Sequence, residues 1–189
     1  MRTLLACLLF TSSVIHAEEA VQPEYVSEAP LPKDWPAPGP YNKVTEKKYP
    51  EYRVAVAEGG SGLSFWTLFN HIQKNDIPMT APVEMGMATE KEGMKKTSMG
   101  FLYQNTKVGE TGADGKKVEV KDVKEAKVLS YTWMGDDSKA NIETAKKALD
   151  AALAEKEVKA ESFRLLGYNG PGTPRKNHTY ELQALLPKS

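Results

Sequence analysis

From residue 51 to 57, Tyr52, Val54 and Val56 alternate with charged or small residues, the pattern of a strand with one face buried. Gly59-Gly60-Ser61-Gly62 breaks the pattern. Phe65, Leu68, Phe69 and Ile72 then recur at the spacing of one helical face, which predicts an amphipathic helix over 64–75, capped by Ser64 and closed by Asn75-Asp76 ahead of Pro78. Residues 79–87 and 97–104 read as strands joined by a turn near Gly93, and a smaller strand, 117–121, follows the turn Gly112-Ala113-Asp114-Gly115. Residues 128–133 alternate again. Asp137-Ser138 then opens a helix running to about residue 156, with Ile142, Ala145, Leu149 and Leu153 on its inner face. Strands at 162–168 and 179–185 enclose the loop 169–174.

The order is strand, helix, strand, strand, and the same again after an inserted strand. A period of roughly 75 to 80 residues is too long for a solenoid unit and points to two pseudo-equivalent halves. The expected class is α+β, with strands of one half pairing with the other and two helices packed outside. At 189 residues, one such domain accounts for the chain.

Ahead of the domain, residues 18–44 hold Pro23, Pro30, Pro32, Pro36, Pro38 and Pro40, which favour extended, solvated backbone. This segment reads as a tether or a strap, and Trp35 is its one residue suited to docking. Residues 1–17 read as a signal peptide: Arg2, an apolar run from Leu4 to Ile15, and a small-residue cleavage site after Ala17. The expected protein is exported, either periplasmic or secreted, and has no integral membrane anchor, because the run is too short to span a bilayer. Cleavage there removes Cys7, the only cysteine, so neither disulfides nor thiolate chemistry remain. Acidic and basic residues balance at 25 each without a long like-charge block, which argues against nucleic acid as a partner.

Four segments in this order resemble the SOUL haem-binding family: Lys48-Tyr49-Pro50-Glu51-Tyr52-Arg53, residues 65–73 (Phe-Trp-Thr-Leu-Phe-Asn-His-Ile-Gln), residues 77–83 (Ile-Pro-Met-Thr-Ala-Pro-Val), and Gly167-Tyr168-Asn169 through Arg175-Lys176-Asn177. Together they cover residues 45–186, within a domain taken as 45–189. The resemblance implies a distorted antiparallel β-barrel of two similar halves. It also implies haem or another porphyrin held non-covalently in a hydrophobic surface groove between the first helix and the loop joining the last two strands. On this sequence the implied groove residues are Phe65, Trp66, Phe69 and Asn70 on the helix and Tyr168 on the loop, with Lys74, Arg175 and Lys176 placed to meet the ligand's carboxylates. Trp66 lies off the apolar stripe and is the leading contact candidate.

His71 is a candidate axial ligand to haem iron, against the plainer reading of an exposed histidine on a solvated helix face. His178 stands where the family usually has glutamate and reads as a structural substitution. Met79, Met85 and Met87 share strand parity, so core filling explains them more simply than soft-metal ligation. The glycines at 59–62 lack the Lys-Ser/Thr of a phosphate loop, and no nucleophile elbow or metal-ligand spacing is present. The expected function is therefore tetrapyrrole carriage, buffering or scavenging rather than catalysis. A small-molecule or protein-partner module on the same barrel, with haem binding lost, is the alternative, and an enzyme on this scaffold ranks third.

Overall fold

A computed structural model describes residues 23–188. The proposed signal peptide and the start of the proline-rich segment lie outside the described residues. The elements are strands β1 (Val44–Tyr49) and β2 (Tyr52–Glu58), helix α1 (Gly62–Lys74), strands β3 (Val83–Glu90), β4 (Gly93–Leu102), β5 (Gly112–Asp114), β6 (Val118–Val123) and β7 (Ala126–Met134), helix α2 (Lys139–Glu155), and strands β8 (Ser162–Gly167) and β9 (Thr179–Leu185). The strands form one antiparallel sheet of nine, ordered β1-β7-β9-β8-β3-β4-β2-β6-β5.

That order expresses the duplicated pattern. In the unit β2-α1-β3-β4 the first strand pairs with the third and the third with the second; β7-α2-β8-β9 repeats this, and β3 pairs with β8 to join the halves. The sheet is open, not the closed barrel implied by the resemblance. Its two edges are β1 and β5, and β5, only three residues long and begun at Gly112 with φ 124°, has no ladder to β1. Both edge strands escape the sequence pattern: β1 has a charged run, Glu46-Lys47-Lys48, at its centre, and β5 falls within the predicted glycine turn.

Alternation sends the two sides of each strand to different cores. Ala55, Phe101, Leu129, Leu165 and Leu182 pack with Leu68 and Ile72 of α1 and with Ile142, Ala145, Leu149 and Leu153 of α2. A fully buried leucine in such a core is stabilising by about 1.5–3 kcal/mol. Their neighbours Val54, Leu102, Val128 and Leu166 point to the opposite face, where Tyr49, Tyr52, Tyr168 and Trp35 complete a second cluster. The proline-rich segment is therefore a strap over this second face. Lys33 N–H donates to Gln104 O (2.8 Å) and Ala81 N–H to Pro30 O (3.0 Å), while Trp35, 6% exposed, packs edge-on to Tyr49 and Tyr52 with centroids 4.7 and 5.1 Å away.

Helix α1 starts two residues before the predicted Ser64. Ser61 occupies the cap position, and Ser64, inside the first turn, donates its hydroxyl to Glu58 O at 2.8 Å. The buried stripe of α1 is Ser64, Leu68, His71 and Ile72, which turns Phe65 and Phe69 to its flank. In α2, Ser138 caps Asn141 N–H as its sequence suggests.

Trp35→Ala is expected to lower stability by about 3 kcal/mol in urea titration, a large cavity penalty for a residue in a proline-rich segment. A loss below about 1 kcal/mol would show that the strap does not contribute to the folded core.

Candidate ligand groove

The main contacts of α1 are with β2, β4 and β6, and those of α2 are with β7, β4, β9 and β1. Over the seam where the two halves join lies a groove of about 710 Å³, within the ~300–1,000 Å³ usual for small-molecule sites. Its floor is Val83 and Met85 of β3 and Met99 of β4; Met85 and Met99 are directly paired across the two strands. One wall is α1, where Phe65 and Phe69 stand nearly parallel (centroids 6.2 Å apart, 11° between planes) and Phe101 supports Phe65 edge-on at 5.2 Å. The other wall is the chain from Gly167 to Tyr180. A Cβ at Gly167 would come within 3.1 Å of the Tyr180 ring and 3.4 Å of the Met85 methyl, so the missing side chain keeps that side of the groove smooth.

Of the residues expected at the groove, Phe65, Phe69, Tyr168 and Arg175 line it. Tyr168 is a buried backing residue, 1% exposed, rather than a closing loop residue, because it belongs to the cluster under the strap. Trp66 is 60% exposed beside the groove, edge-on to Phe65 and Phe69 at 5.8 and 5.7 Å, and does not line it. Asn70 and Lys176 are exposed and outside the lining, and Lys74 turns away to donate to Asp114 Oδ1 at 3.0 Å.

His71 lies elsewhere, facing a smaller cavity beside the β5–β6 hairpin. It is neither an exposed surface histidine nor a free ligand. The side chain is buried, Nδ1 lies 2.6 Å from Asp114 Oδ2, and Nε2 lies 2.7 Å from the Tyr103 hydroxyl. Hydrogen bonds from His71 and Lys74 hold the Asp114 carboxyl down at about 2, while burial pushes the Tyr103 phenol up to about 12. The ionised Asp114 carboxylate accepts from Nδ1 of His71, and the Tyr103 hydroxyl lies against Nε2 on the other side of the ring. The two partners lie 43 and 32 residues away in sequence. Only the helical stripe through Ser64, Leu68 and Ile72 hinted that His71 faces inward.

The polar groups at the groove are also engaged. Lys96 bonds to Asp137; Glu28, from the strap, accepts the Gly170 N–H at 2.6 Å; His178 Nε2 lies 2.8 Å from Thr173 O. Ser138 and Asn141 hold the Asp136 carboxyl below its usual range, and burial raises the Tyr180 phenol to about 12. The sequence pattern did not mark Glu28, Lys96, Asp136 or Asp137 for the groove, since charges on loops and strand ends carry no periodic signal. The methionines do have such a signal, their shared parity, but it is equally that of core filling. An apolar groove with two parallel aromatic rings, a floor of valine and methionine, and charged groups confined to its margin fits a flat hydrophobic macrocycle.

Fold and groove together describe an α+β domain with an apolar groove over its central seam. The chain belongs to the SOUL haem-binding family: the family model described as SOUL heme-binding protein matches residues 41–183. No curated protein matches this chain. Among solved structures the fold is similar to the EcmrR C-terminal domain (TM-score 0.56, 15% identity, 78% of this chain and 98% of that one) and to a hydrolase from Listeria innocua (TM-score 0.55, 13% identity, 78% and 93%). It is also similar to the EcmrR chain of a cryo-EM EcmrR–DNA complex (TM-score 0.57, 12% identity), with 76% of this chain covering 57% of that one. At these identities the likeness is one of fold alone.

Asp114→Asn should remove a pH-dependent part of stability. The carboxyl is lowered from 3.8 to about 2, so its contribution is present above pH 3.8 and is lost as pH falls towards 2. Denaturant midpoints of native protein should therefore fall more steeply than those of the variant between these values, and parallel curves would exclude the His71–Asp114 pin.

Proposed function

We propose that this protein binds haem or another tetrapyrrole non-covalently in the groove between α1 and the β8–β9 loop. Its role would be that of a carrier, buffer or scavenger outside the cytoplasm. The observation that carries this reading is the groove itself: Phe65, Phe69, Met79, Val83, Met85 and Met99 give a flat ligand apolar contact, in a chain of a haem-binding family. When bound, the macrocycle would supply the iron chemistry. The chain's residues would hold it by its faces, exclude water from them, and meet one edge with Arg175. The engagement of Lys96, Glu28 and His178 within the protein supports binding rather than catalysis.

An extracytoplasmic setting rests on Arg2, the apolar run from Leu4 to Ile15 and the small-residue cleavage site after Ala17. No helix among the described residues is long and apolar enough to cross a membrane.

A hemin titration followed by the Soret band tests the reading. Saturable one-to-one binding is expected, weakened roughly tenfold by Phe69→Ala, with Gly167→Leu more damaging because its side chain would crowd the Tyr180 ring and the Met85 methyl at the groove wall. His71→Gln should leave the band position unchanged, since both ring nitrogens already have partners. A flat titration of folded protein, with thermal stabilisation by a different apolar ligand, would replace haem with another small molecule.

A further inference from the structure

The groove's charges are not those of a site built for a dianion. Its lining holds three acids, Glu28, Asp136 and Asp137, against two cations, Lys96 and Arg175, and His178 has its Nε2 against a carbonyl. Lys96 is matched by Asp137. Glu28 is fixed by the Gly170 N–H at 2.6 Å and Asp136 by Asn141 at 2.8 Å, so neither acid swings away from an incoming ligand without losing a hydrogen bond. Of the two cations, Lys96 is paired with Asp137, whereas Arg175 makes no ion pair within 4 Å among the described residues, although Asp136 feels its charge at longer range. A ligand carboxylate placed beside Lys96 therefore meets Asp137 as well, and like-charge approach in a partly dehydrated groove is unfavourable.

We infer that the groove selects its ligand by low anionic charge: it accepts a tetrapyrrole presenting at most one carboxylate to the protein, at Arg175, and Asp137 is the residue that sets this limit by neutralising Lys96. The inference rests on the groove reading above and names the ligand's chemical class more narrowly: a macrocycle that is neutral, singly carboxylated, or turned so that a second carboxylate points to water.

The test compares hemin, a dicarboxylate, with hemin dimethyl ester on the full mature chain. The native protein is expected to bind the diester at least as tightly as the free acid. Asp137→Asn, which frees Lys96, should raise the ratio of free-acid to diester affinity about tenfold. The double variant Lys96→Met, Asp137→Asn should return the ratio of the two affinities to the native value. A native far-UV circular dichroism spectrum reports that each variant is folded. A native preference for the free acid, or a ratio unmoved by Asp137→Asn, would overturn the inference while leaving the groove in place. Binding of neither ligand would instead remove the groove reading.

Discussion

The Arg164 guanidinium is the constraint around which this fold closes. It lies on β8 at the centre of the sheet, 4% exposed, on the face away from the helices. Nε donates to Gln183 on β9 at 2.7 Å, and Nη1 donates to Tyr52 on β2 at 2.7 Å and Glu84 on β3 at 2.9 Å. The rings of Tyr49, Tyr52 and Trp35 stand 4.9 to 5.5 Å from its Cζ. A charge this deep is tolerable only when paired and bonded, and loss of one partner typically costs about 3–5 kcal/mol. Glu181 on β9, fully buried, is held in the same way by Lys47, Tyr49 and Thr132. Strands of both halves and the strap thus meet at one polar cluster, and the strap is the part that shields it from water.

The groove follows from this arrangement. With one face closed by the strap, space for a ligand remains on the helix side, and the duplication decides where. Each helix packs chiefly on strands of its own half, so the β3–β8 seam is left to the connecting loops. The same strap reaches the groove's rim, where Glu28 bonds Gly170 and Val26 O accepts from Asn169 at 3.0 Å. Residues that read as a linker therefore shape both faces of the sheet.

Much of the architecture was legible in the chain because it rests on local periodicity. The β2-α1-β3-β4 unit and its repeat appear in the alternation of Tyr52, Val54 and Val56, the stripe ending at Ile72, and the inner face from Ile142 to Leu153. Phe65 and Phe69 were marked for the groove by the family resemblance, since their helical spacing alone reads as core packing. Elements with little apolar content, β1 and β5, were not legible. Nor was the openness of the sheet, which depends on whether two distant edges meet.

By itself the sequence determined the α+β class, the duplicated halves and the family, since each rests on local periodicity, on the order of elements along the chain, or on recognisable segments. Only the tertiary structure decided which polar groups face one another. His71 was withdrawn from the ligand set by Tyr103 and Asp114, Lys74 was drawn to Asp114, Lys96 was neutralised by Asp137, and Trp35 was set over Arg164. A charge or an imidazole looks the same in sequence whether it is free or engaged, because its partner comes from a part of the chain brought near by folding.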